Sequence, residues 1–200
     1  MSQPLPEIHL IRHGETAWTE SRQHTGLTDI PLTERGERQA RRFGEHLRGK
    51  AYAHVFTSPL QRASRTCELA GFGGAARIDP ELVEWDYGEY EGLTRQEILR
   101  RHAGWNVFRD GSPGGESVAR VSARADRVIA RLRALEGDNL LFSSGHFLRV
   151  LAARWLGLDA GCGRFFQLST TTLSVLGYDH DRSEPAILLW NDVRPGLDVP

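Results

Sequence analysis

The sequence predicts an α/β fold: a three-layer αβα sandwich around a mostly parallel central sheet. Three observations carry this. Short apolar runs of strand length alternate with longer segments of helical periodicity, so helical crossovers join successive strands and make them parallel. The run 8–13 reads as a short apolar strand and 139–143 as a buried one, as strands covered on both faces are. Only the last two apolar runs are joined by a short polar turn, which predicts an antiparallel pair at a sheet edge.

Taken in order, residues 8–13 form a first strand ending in Arg12-His13-Gly14, and residues 16–31, rich in Thr, Gly and polar side chains, form a loop. Thr33 caps a helix whose Ala40, Phe43, Gly44 and Leu47 recur at i, i+3, i+4 and i+7, and Gly49 closes it. Residues 54–57 form a second strand, and Ser58-Pro59 opens a helix running toward Ala70, with proline where the first turn tolerates it. Residues 77–79 form a short third strand. Residues 81–93 are aromatic, acidic and glycine-bearing without clean periodicity, and read as loop. Thr94 and Glu97 have the spacing of a capping box for a short helix through about Arg101. The Gly-Ser-Pro-Gly-Gly stretch 111–115 breaks the chain. Val118, Val121, Ala125, Val128, Ile129 and Leu132 then make a long amphipathic helix ending near Gly137. Residues 139–143 form a buried strand, and residues 146–156 a helix with Gly157 just beyond its end. Strands at 173–178 and 186–190, joined by the turn 179–183, form the edge hairpin.

Composition excludes several function classes. With 25 basic against 26 acidic residues the net charge is −1, without the basic excess of a nucleic-acid or membrane-surface protein, so neither nucleic acid nor membrane is expected as partner. Lys50 is the only lysine, so the positive charge is arginine, whose planar fork suits phosphate. Cys67 and Cys162 form no Cys-x-x-Cys, which excludes zinc ribbons, redox dithiols and a disulfide scaffold and fits a reducing compartment. A chain of 200 residues buries roughly 70% of its unfolded surface, enough for a core without staples. No repeat or linker interrupts it, so one domain over residues 1–200 is expected. The first ten residues show no basic and apolar leader pattern, and no apolar run reaches the ~20 residues of a membrane span. The expected location is cytoplasmic. Oligomeric state stays open, a homodimer included.

In open α/β sheets, ligands bind at the carboxyl ends of the strands. Three strand-to-helix junctions carry matching chemistry there: Arg12-His13, Arg62 and Gly145-His146. Two guanidiniums, two imidazoles and helix amino ends form a cationic pocket of phosphate size. A carboxylate also fits, but so many donors match the equatorial oxygens of a phosphoryl group in transfer. A histidine in such a cluster can serve as nucleophile, and an alkoxide leaving group then needs an acid. Glu84, Asp86, Glu89 and Glu91 are the candidates, all in the loop 81–93. No carboxylate cluster of the two-metal type is present, so neither metal nor cofactor is expected.

The residues Leu10-Ile-Arg-His-Gly-Glu-Thr16, Thr25-Gly-Leu-Thr-Asp29, Pro31-Leu-Thr33, Ser58-Pro-Leu-Gln-Arg62 and Ser144-Gly-His146 together resemble the histidine phosphatase superfamily, phosphoglycerate-mutase-like branch. The resemblance spans roughly residues 8–155 and implies that branch's fold. By it, His13 is the phosphorylated nucleophile, Arg12, Arg62 and His146 clamp the phosphoryl group, and Glu84 is the general acid. A setting beside Trp85 and Tyr87 agrees with a carboxyl that holds its proton near neutral pH. The implied reaction is metal-independent hydrolysis of a small phosphomonoester, such as a sugar phosphate, through phosphohistidine. Cofactor-dependent mutases, the alternative within the family, are longer and carry an Arg-His-Tyr-Gly-like stretch after the acid segment that is not found here. The segment 84–94 and the Trp18-Thr19 pair resemble sedoheptulose bisphosphatase-like and mycobacterial acid phosphatase members. That likeness puts Thr25, Gly26, Trp85, Asp86 and Tyr87 on the substrate side. A non-catalytic phosphate-binding module would be expected to lack the nucleophile or the acid. Ser143-Ser144-Gly-His-Phe147 departs from the more frequent Ser-His-Gly order but keeps His146 in register.

The remaining candidates have plainer readings. His9, His46, His54, His102 and His180 are surface or packed side chains, and His24 is open between packing and substrate contact. Arg120, Arg124, Arg127, Arg131 and Arg133 read as the solvated face of the long helix, and Trp105, Phe108 and Trp155 as core. Glu116 either accompanies a helix start at Ser117 or reaches the pocket.

Overall fold

The computed structural model describes residues 5–193. Its sheet has six strands in the order β3-β2-β4-β1-β5-β6: β1 (Ile8–Arg12), β2 (His54–Thr57), β3 (Ala76–Ile78), β4 (Asn139–Ser143), β5 (Leu173–Tyr178) and β6 (Pro185–Asp192). β1 and β2 both run parallel to β4, and β3 parallel to β2. β5 is antiparallel to β1 and to β6, so β6 alone lies at that edge.

Strand alternation sorts the core into two layers. Ile8, Leu10, Leu141 and Leu176 point toward α6 (Val118–Arg133) and α7 (Gly145–Trp155), where Trp105, Phe108 and Trp155 are also buried. Ile11, Leu140, Phe142 and Val175 point the other way, toward Phe43 and Leu47 of α2 (Glu34–Leu47) and Cys67 of α3 (Gln61–Leu69). Thr33 and Ser117 each cap their helix through the hydroxyl, as their sequence positions predict. Thr94 and Glu97 close the capping box of α4 (Arg95–Arg101).

Differences cluster in the long loops. The stretch 16–31 contains a short helix, α1 (Ala17–Glu20), nucleated by reciprocal hydrogen bonds between Thr16 and Thr19. Residues 81–93 hold a 3-10 turn at Gly88–Tyr90, and α5 (Val107–Asp110) and the 3-10 segment Ala160–Phe165 also lie between predicted elements. Each is at most six residues long, too short for periodicity to register. α3 starts at Gln61 with Pro59 outside it, and α6 ends at Arg133, four residues before Gly137.

β1, β4 and β2 are neighbours ending at one level: Arg12 pairs with Ser143 and Thr57 with Phe142. The three junctions are thereby brought to one rim of the sheet.

Candidate active site

At that rim lies a cavity of about 430 Å³ whose wall includes Arg12, His13, Glu84, Tyr87 and His146. A groove of about 640 Å³ along α3 and β3, walled by Glu37, Arg65, Glu68 and Ile78, is larger but shares none of these residues. The histidines His13, His24 and His146 line the smaller one.

His13 is 3% exposed, and its Nδ1 lies 2.8 Å from the carbonyl oxygen of Gly14. A carbonyl only accepts, so Nδ1 carries the proton and Nε2 keeps its lone pair. Burial first, then the charges of Arg62 and Arg12, holds this imidazole well below its usual pKa and therefore neutral. The Gly14 N–H donates to the Thr66 hydroxyl at 3.0 Å, and that hydroxyl donates to the Arg62 carbonyl at 2.6 Å. A Cβ on Gly14 would stand 2.9 Å from the Gly36 carbonyl oxygen, so glycine lets α2 approach the strand end that carries His13. Glu15 fastens the same approach, accepting from the Thr33 hydroxyl at 2.8 Å and Arg35 at 3.0 Å.

Arg12 donates to the Leu168 carbonyl at 2.5 Å, and its buried Nε has no protein partner. Its guanidinium lies against Gly145, where a Cβ would meet Arg12 Nε at 3.0 Å. Arg62 is fully buried behind the cavity wall and binds the carbonyls of Thr25, Gly26 and Thr28, leaving Nε without a protein partner. Burial lowers the pKa of both guanidiniums, while the nearby Glu84 pulls the other way. Two buried N–H donors with no acceptor among the described residues suit an anion.

Glu84 is 5% exposed, and three backbone amides bind its carboxylate. Oε1 accepts from the N–H of Trp85 at 2.8 Å and of Phe147 at 2.7 Å, and Oε2 from that of His146 at 2.9 Å. The carboxylate thus caps α7, whose Ser144 makes no side-chain cap. Tyr87 hydrogen-bonds Nδ1 of His146 through its hydroxyl. Burial, reinforced by Glu84, pushes the Tyr87 phenol well above its usual pKa, so it stays protonated and donates. His146, held neutral by burial and by Arg149, then presents Nε2–H as a donor.

Thr25 and Tyr87 lie in the cavity wall, whereas Gly26 faces Arg62 through its carbonyl and Glu91 through its N–H. Two further residues predicted on the substrate side lie elsewhere. Trp85 is 0% exposed, with its ring against Phe108 and its indole N–H on the Glu116 carbonyl. Asp86 accepts the Gly88 N–H and closes a turn. Consecutive residues of an irregular loop point to different sides, and here only Glu84 and Tyr87 turn toward the cavity.

His24 is in the wall, and its Nδ1–H binds the Leu93 carbonyl at 2.9 Å, leaving Nε2 as an acceptor. Glu116 does not reach the cavity but forms a buried bidentate pair with Arg124, at 2.7 and 3.0 Å. Arg124, read from sequence as solvated, is 7% exposed and also binds the carbonyls of Glu81, Val83 and Glu84. Its place one step off the apolar stripe of α6, between Val121 and Val128, was the available signal. Arg127 and Arg131 are exposed and pair with Glu81, as a solvated face predicts. His9 is packed, between Glu7 and the Tyr52 hydroxyl.

Among the described residues, two His and acid groups come within metal-ligand spacing of one another: Glu7, His9 and Asp138 at the amino ends of β1 and β4, and Asp179, His180 and Glu184 at the β5–β6 turn. Neither adjoins the cavity.

The histidine phosphatase superfamily (branch 1) model matches residues 8–193. An acid phosphatase of Mycobacterium tuberculosis is 39% identical over 184 residues, covering 90% of each chain. The sedoheptulose 1,7-bisphosphatase of Saccharomyces cerevisiae is 37% identical over 90% of this chain and 78% of its own. A probable phosphoglycerate mutase of Salmonella choleraesuis is 34% identical over 88% and 86%. A solved structure of a Mycobacterium tuberculosis open reading frame product superposes with a TM-score of 0.87 at 36% identity, covering 93% of this chain and 97% of that one. With a neutral, oriented histidine at the end of β1 that feels the charges of Arg12 and Arg62, and a family match over nearly all the described residues, this chain belongs to the histidine phosphatase superfamily, branch 1.

Proposed function

We propose that the protein is a phosphatase that hydrolyses small phosphomonoesters through a phosphohistidine on His13. The observation that carries this is the tautomer of His13: Nδ1–H is committed to the Gly14 carbonyl, and the neutral ring keeps its Nε2 lone pair beside Arg12 and Glu84. In the first step Nε2 attacks phosphorus in line, the N–P bond forms and the bond to the ester oxygen breaks. Glu84 gives its proton to that oxygen. Oε1 is occupied by two amides and Oε2 by one, so the remaining lone pair of Oε2 is the position open to the transferred proton. Arg12 and His146 Nε2–H meet the equatorial oxygens, whose charge rises in the transition state, and the buried Arg62 adds its positive charge from behind the wall. In the second step Glu84 takes a proton from water, the new oxygen bonds to phosphorus, the N–P bond breaks and phosphate leaves. The residues supply every proton and charge the cycle needs, so we assign no metal to it.

Relatives carry both phosphatase and mutase names, and hydrolysis is favoured by the names of the acid phosphatase and the bisphosphatase. Incubation with p-nitrophenyl phosphate, sugar phosphates, and 3-phosphoglycerate with and without 2,3-bisphosphoglycerate separates the readings. Phosphate release in the presence of EDTA, with acid-labile label on the wild type and none on His13→Ala, is the expected result. Isomerisation outpacing phosphate release overturns hydrolysis, and label persisting in His13→Ala moves the nucleophile elsewhere.

Both cysteines are free thiols, one buried, which supports action in the cytoplasm. Among the described residues no helix is long and apolar enough to cross a membrane.

A further inference from the structure

Glu91 is one of the four acid candidates in the loop 81–93, and unlike Glu84 it does not line the cavity. It is half-buried, just after the 3-10 turn Gly88–Tyr90. Its carboxylate turns to the backbone of residues 26–28. Oε1 accepts the Gly26 N–H at 2.8 Å and the Thr28 N–H at 3.2 Å, and Oε2 shares the Gly26 N–H at 3.0 Å.

The same stretch of chain holds Arg62 from its other edge. The carbonyls of Thr25, Gly26 and Thr28 accept from the guanidinium at 3.2, 2.7 and 3.0 Å. Gly26 and Thr28 therefore each give an N–H to the carboxylate and a carbonyl to the guanidinium. An anion at one edge and a cation at the other polarise the peptide groups between them in the same sense, which strengthens both sets of bonds.

Both ends of this stretch are tied down. On one side the His24 N–H meets the Leu93 carbonyl at 2.9 Å and the Gly92 N–H meets the His24 carbonyl at 2.9 Å. On the other, Asp29 accepts the Gln61 N–H at 2.7 Å at the head of α3, one residue before Arg62. Gly26 admits the carboxylate, because a Cβ there would stand 2.5 Å from Glu91 Oε2. Burial works against the charge on Arg62, and Glu91 is among the nearby anions that oppose that effect. A buried guanidinium bound to carbonyls is only as fixed as those carbonyls, and its distance from the phosphoryl group sets how strongly its charge acts there.

We propose that Glu91 is a positioning residue for phosphoryl transfer: by holding the N–H edge of residues 26–28 it fixes the carbonyls that set the place of Arg62. This rests on the phosphatase reading for the reaction that Arg62 serves, not for the grip on the loop.

Two conservative variants separate reach from charge. Glu91→Asp keeps the charge but withdraws the carboxylate by about one carbon–carbon bond, roughly 1.5 Å, so it cannot span both N–H groups. Glu91→Gln loses the charge but keeps an oxygen at full reach. With p-nitrophenyl phosphate, Glu91→Asp should lose about tenfold in kcat at little-changed KM, because Arg62 acts on charge that rises in the transition state. Calorimetric affinity for orthovanadate, which mimics that state, should fall by about the same factor. Glu91→Gln should stay within about threefold of wild type in both measurements.

Rates are referred to folded protein through melting curves. Glu91→Met, of similar reach without an acceptor, opens the grip if Glu91→Asp does not fold. Glu91→Asp performing as well as Glu91→Gln or better, or a loss carried by KM alone at unchanged orthovanadate affinity, overturns the proposal. A lowered melting temperature with unchanged kcat per folded molecule overturns it too, leaving Glu91 a structural contact. Absence of phosphate release from every ester, with the graded orthovanadate affinities intact, overturns hydrolysis and leaves the grip on Arg62 standing.

Discussion

Arg124 and Glu116 form a buried bidentate ion pair directly beneath the loop that carries Glu84. The remaining N–H groups of Arg124 reach the carbonyls of Glu81, Val83 and Glu84, so one guanidinium holds the backbone on which the carboxylate rides. Phe147, next to His146, lies 4.3 Å below its face. Glu116→Ala leaves this charge buried without its partner and is expected to cost about 3 kcal/mol of stability. Thermal unfolding checks the loss. Kinetics check its consequence: a loosened Glu84 lowers kcat for alkyl phosphates more than it raises KM. An unaltered melting temperature would remove the pair from its supporting role.

The Thr66 hydroxyl joins the segments that carry His13 and Arg62, accepting from Gly14 N–H and donating to the Arg62 carbonyl. Thr66→Val keeps the shape but strands a buried amide at a cost of about 1–3 kcal/mol. It also frees the strand end that fixes the His13 tautomer. The expected signature of this positioning role is slower phosphoenzyme formation at little-changed KM, with Thr66→Ser restoring the rate. Equal failure of the serine variant would make the defect one of packing instead.

His13, His24 and His146 are all held below the usual histidine value of 6.5, chiefly by burial. Below pH 6.5 the unfolded chain takes up protons that the folded chain refuses, so the unfolded state binds more of them and stability decreases as the pH is lowered. This part of the stability is complete above pH 6.5 and is lost as pH drops toward the depressed folded values. Urea midpoints measured from pH 8 down to pH 5 should decline mainly below 6.5. A flat profile there would mean these rings are already charged in the folded protein. The nucleophile's acid limb in kcat/KM should likewise lie below 6.5.

The parts of this design visible in sequence are those that repeat or lie at strand ends. β1, β4 and the motif residues Arg12, His13, Arg62 and His146 could be placed because the three junctions share a parallel sheet and must end together. Contacts made by irregular segments folding over a helix were not visible. Arg124 belongs to a run of arginines whose spacing indicates solvent, and it is buried only because residues 81–84 cross above it. Trp85 and Asp86 adjoin Glu84 in sequence, yet in a loop of 3-10 turns adjacency does not determine direction. Arg149 sits one helical turn from His146, and that spacing was available to be used.

Glu84 carries the sharpest chemical prediction, because backbone N–H groups hold its carboxylate. Three backbone N–H groups fix both of its oxygens, so Glu84→Gln places an amide group where one oxygen accepts two N–H bonds or the other accepts one. The variant therefore changes two things at once: it removes the transferable proton, and it sets N–H against N–H at the head of α7. Leaving-group dependence separates them. An alkoxide must be protonated as it departs, whereas p-nitrophenolate is stable without a proton, so loss of the acid alone slows alkyl phosphates by about 10²–10⁴ and the aryl ester far less. A disordered α7 terminus would displace His146 and slow both equally. Rate ratios for a sugar phosphate and p-nitrophenyl phosphate, measured on Glu84→Gln beside its melting temperature, decide which occurs. A loss confined to the alkyl ester at an unchanged melting temperature assigns the proton to Glu84, and an equal loss on both substrates in a stably folded variant moves the acid to another group.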